Sequence, residues 1–227
     1  MIGHIPAILW GENTGRLIIA IHGDQSHKED AVIAILAEEA DAKGYGVLSF
    51  DLPEHGDRKD DPELCKAQVC VPELRSVLIY VRTLAPDISL FGCSLGVYLS
   101  LAAYGGEVFR HALFLSPVVD MRRLIENMMS WFDVTPALLE AEGEIPTPMG
   151  KTLYWDYYRY VRDHPVDKWP IPTAILCGER DGVSEYDRVS AFASRFGAEL
   201  TVMKDGEHFF HTDAQLAFFR RWLRERL

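Results

Sequence analysis

A chain of 227 residues, 48% of them hydrophobic, can bury one sizeable core, and it reads as one domain with an insertion rather than two domains. Its formal charge of −11 comes without a basic stripe, which argues against nucleic acid as a partner; Arg220, Arg221, Arg224 and Arg226 are expected on the polar side of a terminal helix, complementing its dipole. With no basic, apolar leader at Met1 and no apolar run of membrane-spanning length, a soluble cytoplasmic protein with no membrane partner is expected, a homo-oligomer being left open.

In chain order, residues 17–21 are a run of branched apolar side chains that stops at His22-Gly23, the pattern of a buried parallel strand, and residues 5–10 are expected to pair beside it. Apolar positions 32, 33, 35, 36 and 40 before Gly44 predict a helix over about 30–43, and a second buried strand follows at 46–50. Proline and glycine in Asp51-Leu52-Pro53-Glu54-His55-Gly56 force a turn into a charged loop over 57–63. Apolar spacing from Pro72, which suits a first turn, to Ala85 predicts the next helix. A strand at 88–91, a helix at 97–104 and a strand at 111–116 continue the alternation, which implies a doubly wound, mostly parallel sheet in a three-layer sandwich.

Regularity lapses over residues 118–169, which hold Pro136, Pro146, Pro148 and Pro165 together with Trp131, Trp155 and Trp169. This stretch is expected to be a small cap insertion into a core formed by 1–117 and 170–227, with short helices over 121–132 and 153–161. Most of its aromatic side chains are expected to pack it onto the core, at the strand ends where a ligand pocket belongs. The alternation resumes with a strand at 172–177, a helix over about 184–196, a strand at 199–203, and a last helix capped by Thr212 or Asp213.

Four cysteines at 65, 70, 93 and 177 do not have the spacing of a disulfide framework and are expected as free thiols. Cys65 and Cys70 would hold a metal only with two ligands from elsewhere, so neither metal nor cofactor is expected. Cys93 should turn inward and pack.

The stretch Leu90-Phe91-Gly92-Cys93-Ser94-Leu95-Gly96 places a serine between two glycines, after an apolar strand and before an apolar helix. It reads as a nucleophile elbow, with Ser94 Oγ raised at the carboxyl edge of the sheet above a helix N-terminus. Loops after parallel strands gather at that edge, so Ser94, Asp181 and His208 should be neighbours there. Their order, serine then acid then histidine, resembles that of the α/β-hydrolase superfamily over nearly the whole chain, from His22-Gly23 to the final helix. The resemblance implies an α/β-hydrolase fold with a catalytic triad of Ser94, Asp181 and His208. It also implies an oxyanion hole of the Leu95 and Asp24 backbone N–H groups, with Gln25 the alternative to Asp24. The arrangement looks like bacterial serine carboxylesterases, including those that cleave hydroxycinnamoyl esters, and implies hydrolysis of a small-molecule ester through an acyl-enzyme. Peptidase or thioesterase chemistry on the same fold stays open, as does a ligand-binding protein that keeps the pocket without catalysis.

His208 is preferred to His211 because a glycine-containing loop can aim it, and Asp181 to Glu179 and Asp205 because of their spacing. His22 and His55 are expected to bond backbone and fix turns; His4, His27, His111 and His164 carry no signal. Asp24 departs from what an oxyanion turn wants, since its carboxylate sits near developing negative charge, and Lys28 or Arg58 is expected to neutralise it.

Overall fold

The computed structural model describes residues 1–12 and 15–227. The chain runs β1 (Ala7–Trp10), β2 (Arg16–Ile21), α1 (Ala31–Asp41), β3 (Gly46–Phe50), α2 (Ala67–Leu84), β4 (Asp87–Cys93), α3 (Leu95–Tyr104) and β5 (Ala112–Leu115). Then come α4 (Met121–Trp131), α5 (Pro136–Glu142), a hairpin of β6 (Glu144–Pro146) and β7 (Thr152–Tyr154), and α6 (Trp155–Asp163). Finally, β8 (Thr173–Gly178), α7 (Tyr186–Phe196), β9 (Glu199–Met203) and α8 (Asp213–Arg224) close the fold.

Seven strands form the main sheet in the order β1-β3-β2-β4-β5-β8-β9. All neighbours are parallel except β1 on β3, so the β1 segment pairs not with β2, as the sequence suggested, but antiparallel on the far side of β3. Side chains alternate across each strand. On β2, Ile18 and Ala20 enter the core beneath α1 and α8, while Leu17, Ile19 and Ile21 enter the one beneath α2, α3 and α7. Helices on both faces are why the strand reads as an unbroken apolar run.

The helix expected from Pro72 begins five residues earlier, at Ala67, and carries Pro72 inside it. The missing proline N–H leaves the Gln68 carbonyl without its helical partner. The early start is secured at the helix entrance instead: Cys65, just before the Lys66 N-cap, meets Cys70 one turn in, as in a hydrophobic staple. The helix expected over 153–161 is shifted to α6 because Leu153 and Tyr154 belong to β7. The hairpin and α5, entered through Thr135 as N-cap and Pro136 at the first turn, were not foreseen.

The terminal arginines do more than complement a dipole. Arg220 and Arg224 donate at 2.8 Å to the buried carboxylate of Glu39, joining α8 to α1, and Arg226 pairs with Glu199 of β9. No helix among the described residues is long and apolar enough to cross a membrane.

Candidate active site

Ser94 stands between β4 and α3 with φ 48° and ψ −112°, a left-handed conformation a serine adopts only under constraint. The constraint is visible at Gly96, where any Cβ would lie 2.3 Å from the Ile21 carbonyl oxygen. Only glycine allows α3 to start this close to the end of β2. Ser94 N–H donates to the Leu115 carbonyl at 3.0 Å, tying the elbow to β5. Cys93 faces inward as expected, and burial pushes its thiol up to about 12.

The loops after β8 and β9 meet this elbow. Ser94 Oγ lies 2.8 Å from His208 Nε2, and His208 Nδ1 lies 2.9 and 2.8 Å from the two carboxylate oxygens of Asp181. Asp181 Oδ1 also accepts the Val183 and Ser184 backbone N–H groups at 2.9 and 2.8 Å, which fixes the carboxylate. The acid side chain is 2% exposed and the histidine 21%, so the relay is sealed at its acid end and open at the serine. A second tight glycine holds the loops together: a Cβ on Gly178 would lie 2.3 Å from the Gly206 carbonyl, and the Arg180 N–H donates to that carbonyl at 2.7 Å. Of the rival side chains, Asp205 pairs with Arg180, Glu179 accepts the Asp205 N–H, and His211 Nδ1 lies 2.8 Å from the Phe209 carbonyl.

Across Ser94, the turn after β2 is held by ionisable side chains. His22 donates from Nδ1 to the Gly23 carbonyl at 2.7 Å and accepts the Leu52 N–H at Nε2, and burial pushes its pKa down to about 4. His55 donates from Nδ1 to the Pro53 carbonyl at 2.7 Å, and its Nε2 accepts the Gln25 N–H at 3.1 Å. Both histidines fix turns, as expected.

The Asp24 carboxylate is neutralised, though not by the residues foreseen. Lys151, in the loop between β6 and β7, donates to it at 2.7 Å, and His55 Nε2 lies 3.5 Å away. Burial alone would raise the Asp24 pKa; the His55 and Lys151 hydrogen bonds outweigh it and bring it down to about 2. Lys28 instead pairs with the fully buried Asp51 and with Asp57, each at 2.7 Å, while Arg58 pairs with Asp61 and Glu73 at 2.6 and 2.7 Å. Nothing in the sequence around residue 151 marks it as a partner of residue 24.

The segment between β5 and β8 is tied to the core at several points. Asp156 on α6 accepts from Lys66 and Gln68, and Lys151 reaches Asp24; within the segment the Tyr158 hydroxyl donates to Glu126 of α4 at 3.0 Å. The hydroxyls of Tyr157, on α6, and Tyr98, one turn along α3 from Ser94, are buried without a hydrogen-bond partner among the described residues. A cavity of about 360 Å³ opens beside Tyr98, lined by apolar side chains such as Met121, Val161 and Phe192 and by the charged Arg122, Arg162, Arg188 and Arg195; neither Ser94 nor His208 lines it.

A serine on a strained strand-to-helix turn, with acid and histidine delivered by later loops of a doubly wound sheet, defines an α/β-hydrolase architecture. The chain belongs to the alpha/beta hydrolase family, whose model matches residues 18–221. Among solved structures it is similar to Est1E from Butyrivibrio proteoclasticus with ferulic acid bound, at 21% identity and a TM-score of 0.83 over 97% of this chain and 93% of that one. It is also similar to the alpha/beta hydrolase domain-containing protein 10 from mouse, at 18% identity and a TM-score of 0.79 over 97% and 92% of the two chains. The monoacylglycerol lipase of Paleococcus ferrophilus matches at 16% identity and a TM-score of 0.71, over 98% and 99%. No curated protein sequence matches the chain.

Proposed function

We propose that this protein is a serine esterase that cleaves small carboxylic esters through an acyl-enzyme. The observation that carries the reading is the unbroken relay from Ser94 Oγ through His208 to Asp181, with its acid end buried. A serine hydroxyl is a weak nucleophile at neutral pH, so His208 Nε2 takes its proton as Oγ attacks the ester carbonyl. Asp181 holds the ring with its proton on Nδ1 and stabilises the imidazolium. His208 then returns the proton to the departing alcohol, and water repeats the sequence on the acyl-enzyme.

The tetrahedral oxyanion is taken by two backbone N–H groups. Leu95, the first residue of α3, has no intrahelical partner for its N–H, and the helix dipole favours negative charge there. Of the two candidates in the turn after β2, the Gln25 N–H is turned toward His55 Nε2, 3.1 Å away, which favours Asp24. Losing one such donor typically costs about 3 to 4 kcal/mol of transition-state stabilisation.

Residues 118–169 act as the cap over the substrate. The partnerless hydroxyls of Tyr98 and Tyr157 suit a substrate with a polar substituent. Ferulic acid bound in the structurally similar Est1E makes hydroxycinnamoyl esters the first extended substrates to try. The test is hydrolysis of para-nitrophenyl acetate and methyl ferulate by the wild type beside Ser94→Ala at neutral pH. Turnover that vanishes in a folded Ser94→Ala supports the reading. A folded wild type inert to both esters, but active on a thioester or peptide, would replace it.

A further inference from the structure

The relay leaves one pair of nucleophilic side chains unused. Cys65 and Cys70 stand where two apolar side chains would staple the start of a helix, and their Sγ atoms lie 3.8 Å apart. A staple needs only apolar bulk, which free cysteine supplies, so the contact leaves the reactivity of the two sulfurs unused. Cys70 is fully buried on the inner face of α2, whereas Cys65 is half-buried. The Cys65 backbone is anchored by its N–H, which donates to Glu54 Oε2 at 2.7 Å. The sulfurs of a disulfide lie about 2.0 Å apart, so rotation of side chains already in contact covers most of the approach.

The surroundings make the two thiols unequal. A hydrogen bond from the Cys70 thiol first, and the charge of His55 next, hold the Cys65 thiol below its ordinary pKa against the effect of burial. The Cys70 thiol is pushed up, by its bond to Cys65 first and then by burial. One sulfur is thus disposed to attack as a thiolate, while its neighbour keeps its proton. Burial alone would lower the His55 pKa, but hydrogen bonding to Asp24 and Cys65 outweighs it and raises the pKa to about 10.

We propose that Cys65 and Cys70 are a peroxide-oxidised dithiol, closing reversibly to a disulfide beside the His55–Asp24 pair. The Cys65 thiolate attacks one oxygen of hydrogen peroxide: an S–O bond forms, the O–O bond breaks, and hydroxide leaves and takes up a proton to become water. The Cys70 sulfur then displaces the oxygen of the Cys65 sulfenic acid. The S–S bond forms, and the Cys70 proton leaves with that oxygen as a second water. Two electrons pass from the thiols to the peroxide, and a small dithiol returns them.

His55 carries the consequence to the turn. Its Nε2 serves Gln25 as an acceptor when the ring is neutral and faces the Asp24 carboxylate, 3.5 Å away, as a donor when it is charged. Oxidation removes the thiolate and shifts the ring toward the neutral form that bonds Gln25. The oxidation itself does not depend on the esterase reading; any change in turnover does.

The test exposes the full-length protein to hydrogen peroxide, quenches it in denaturant with an alkylating reagent, and maps the thiols by mass spectrometry. It is run on the wild type and on Ser94→Ala, so that the result stands whatever Ser94 does. A disulfide joining the peptides on either side of Lys66 is expected in both proteins, reversed by dithiothreitol, with Cys93 and Cys177 still alkylated. Cys65→Ser should abolish the reaction, whereas Cys70→Ser should leave Cys65 to advance to the sulfinate. The His55 ring, followed by NMR, should titrate lower in the oxidised protein. Oxidation of Cys65 and Cys70 no faster than Cys177 would overturn the proposal. So would a wild-type Cys65 sulfinate with Cys70 free, or a disulfide that forms only as the chain unfolds.

Discussion

On one side of Ser94, Asp181 and His208 are held by backbone: Gly178 against Gly206, the Arg180 N–H on the Gly206 carbonyl, and two N–H groups on the Asp181 carboxylate. On the other side, the turn after β2 is held by ionisable side chains: His22, His55, Lys151 on Asp24, and Lys28 on Asp51. The first arrangement places the Ser94–His208–Asp181 chain to within hydrogen-bond tolerance through backbone contacts that contain no ionisable group. The second keeps a carboxylate beside a proposed oxyanion site harmless only while its partners carry charge. Changes on the relay side should therefore strike chemistry, and changes on the turn side should strike stability and pH dependence.

The largest effect is expected at the proposed nucleophile. Ser94→Ala should lower kcat for ester hydrolysis by about 10⁶-fold, with the urea midpoint close to wild type, since the substitution deletes one hydroxyl. Asp181→Asn keeps the shape but favours the wrong histidine tautomer, and about 10⁴-fold is expected. Comparable losses of stability in either variant, read by urea unfolding, would break the comparison by showing that the relay also supports the fold.

Lys28→Met tests the opposite side. It strips its partner from Asp51, whose carboxylate is fully buried and, among the described residues, otherwise bonded only to the backbone N–H groups of Lys28 and Asp57. A loss of about 3 to 5 kcal/mol in unfolding free energy is expected. The esterase rate constant of the fraction still folded should change far less than in Asp181→Asn.

His22 supplies the pH signature. Its native pKa, pushed down to about 4 by burial, lies below the unfolded value of 6.5, so between them the unfolded chain binds more protons. Stability from this group is therefore complete above about 6.5, falls as pH drops from there to about 4, and falls no further below. Urea midpoints measured across that window should follow this slope, and His22→Gln should flatten it. An imidazole NMR signal titrating near 6.5 in the folded protein would contradict the burial argument.

What could be read beforehand divides along the same line. The elbow, the acid and the histidine were legible because each follows a strand, and strands announce themselves through local apolar runs and the glycines that end them. The partners of Asp24 were not legible, since Lys151 comes from the loop between β6 and β7, where no periodicity fixes a direction. Arg220 and Arg224 looked like surface charge for a related reason: Glu39, at 7% exposure, is buried only once α1 and α8 have packed. Pro72 misled because a proline's preference for the first turn of a helix is statistical, and here the staple at Cys65 and Cys70 set the start. The place of β1 depended on which edge of the sheet was vacant, which no single strand records.

The smallest and most discriminating prediction concerns Lys151. Its pair with Asp24 is more than one third exposed on both sides, so the attraction is screened and worth at most about 1 kcal/mol. Lys151→Met should therefore reduce kcat/KM by no more than about fivefold, while Lys151→Arg restores it. The Asp24 pKa, now about 2, should rise toward the ordinary carboxylate range when Lys151 is lost, with His55 still holding it down. Because the native value is the depressed one, the stabilising contribution is present above about pH 4 and disappears as pH falls toward 2, so the variant should be less stable than wild type above about pH 4 and converge with it at the acid end. Unchanged Asp24 titration, followed by carboxylate NMR, would mean that His55 alone neutralises the turn. A loss in kcat/KM as large as that of Asp181→Asn would mean instead that Lys151 touches the substrate, and the division between a side that does chemistry and a side that holds charge would fail at that residue.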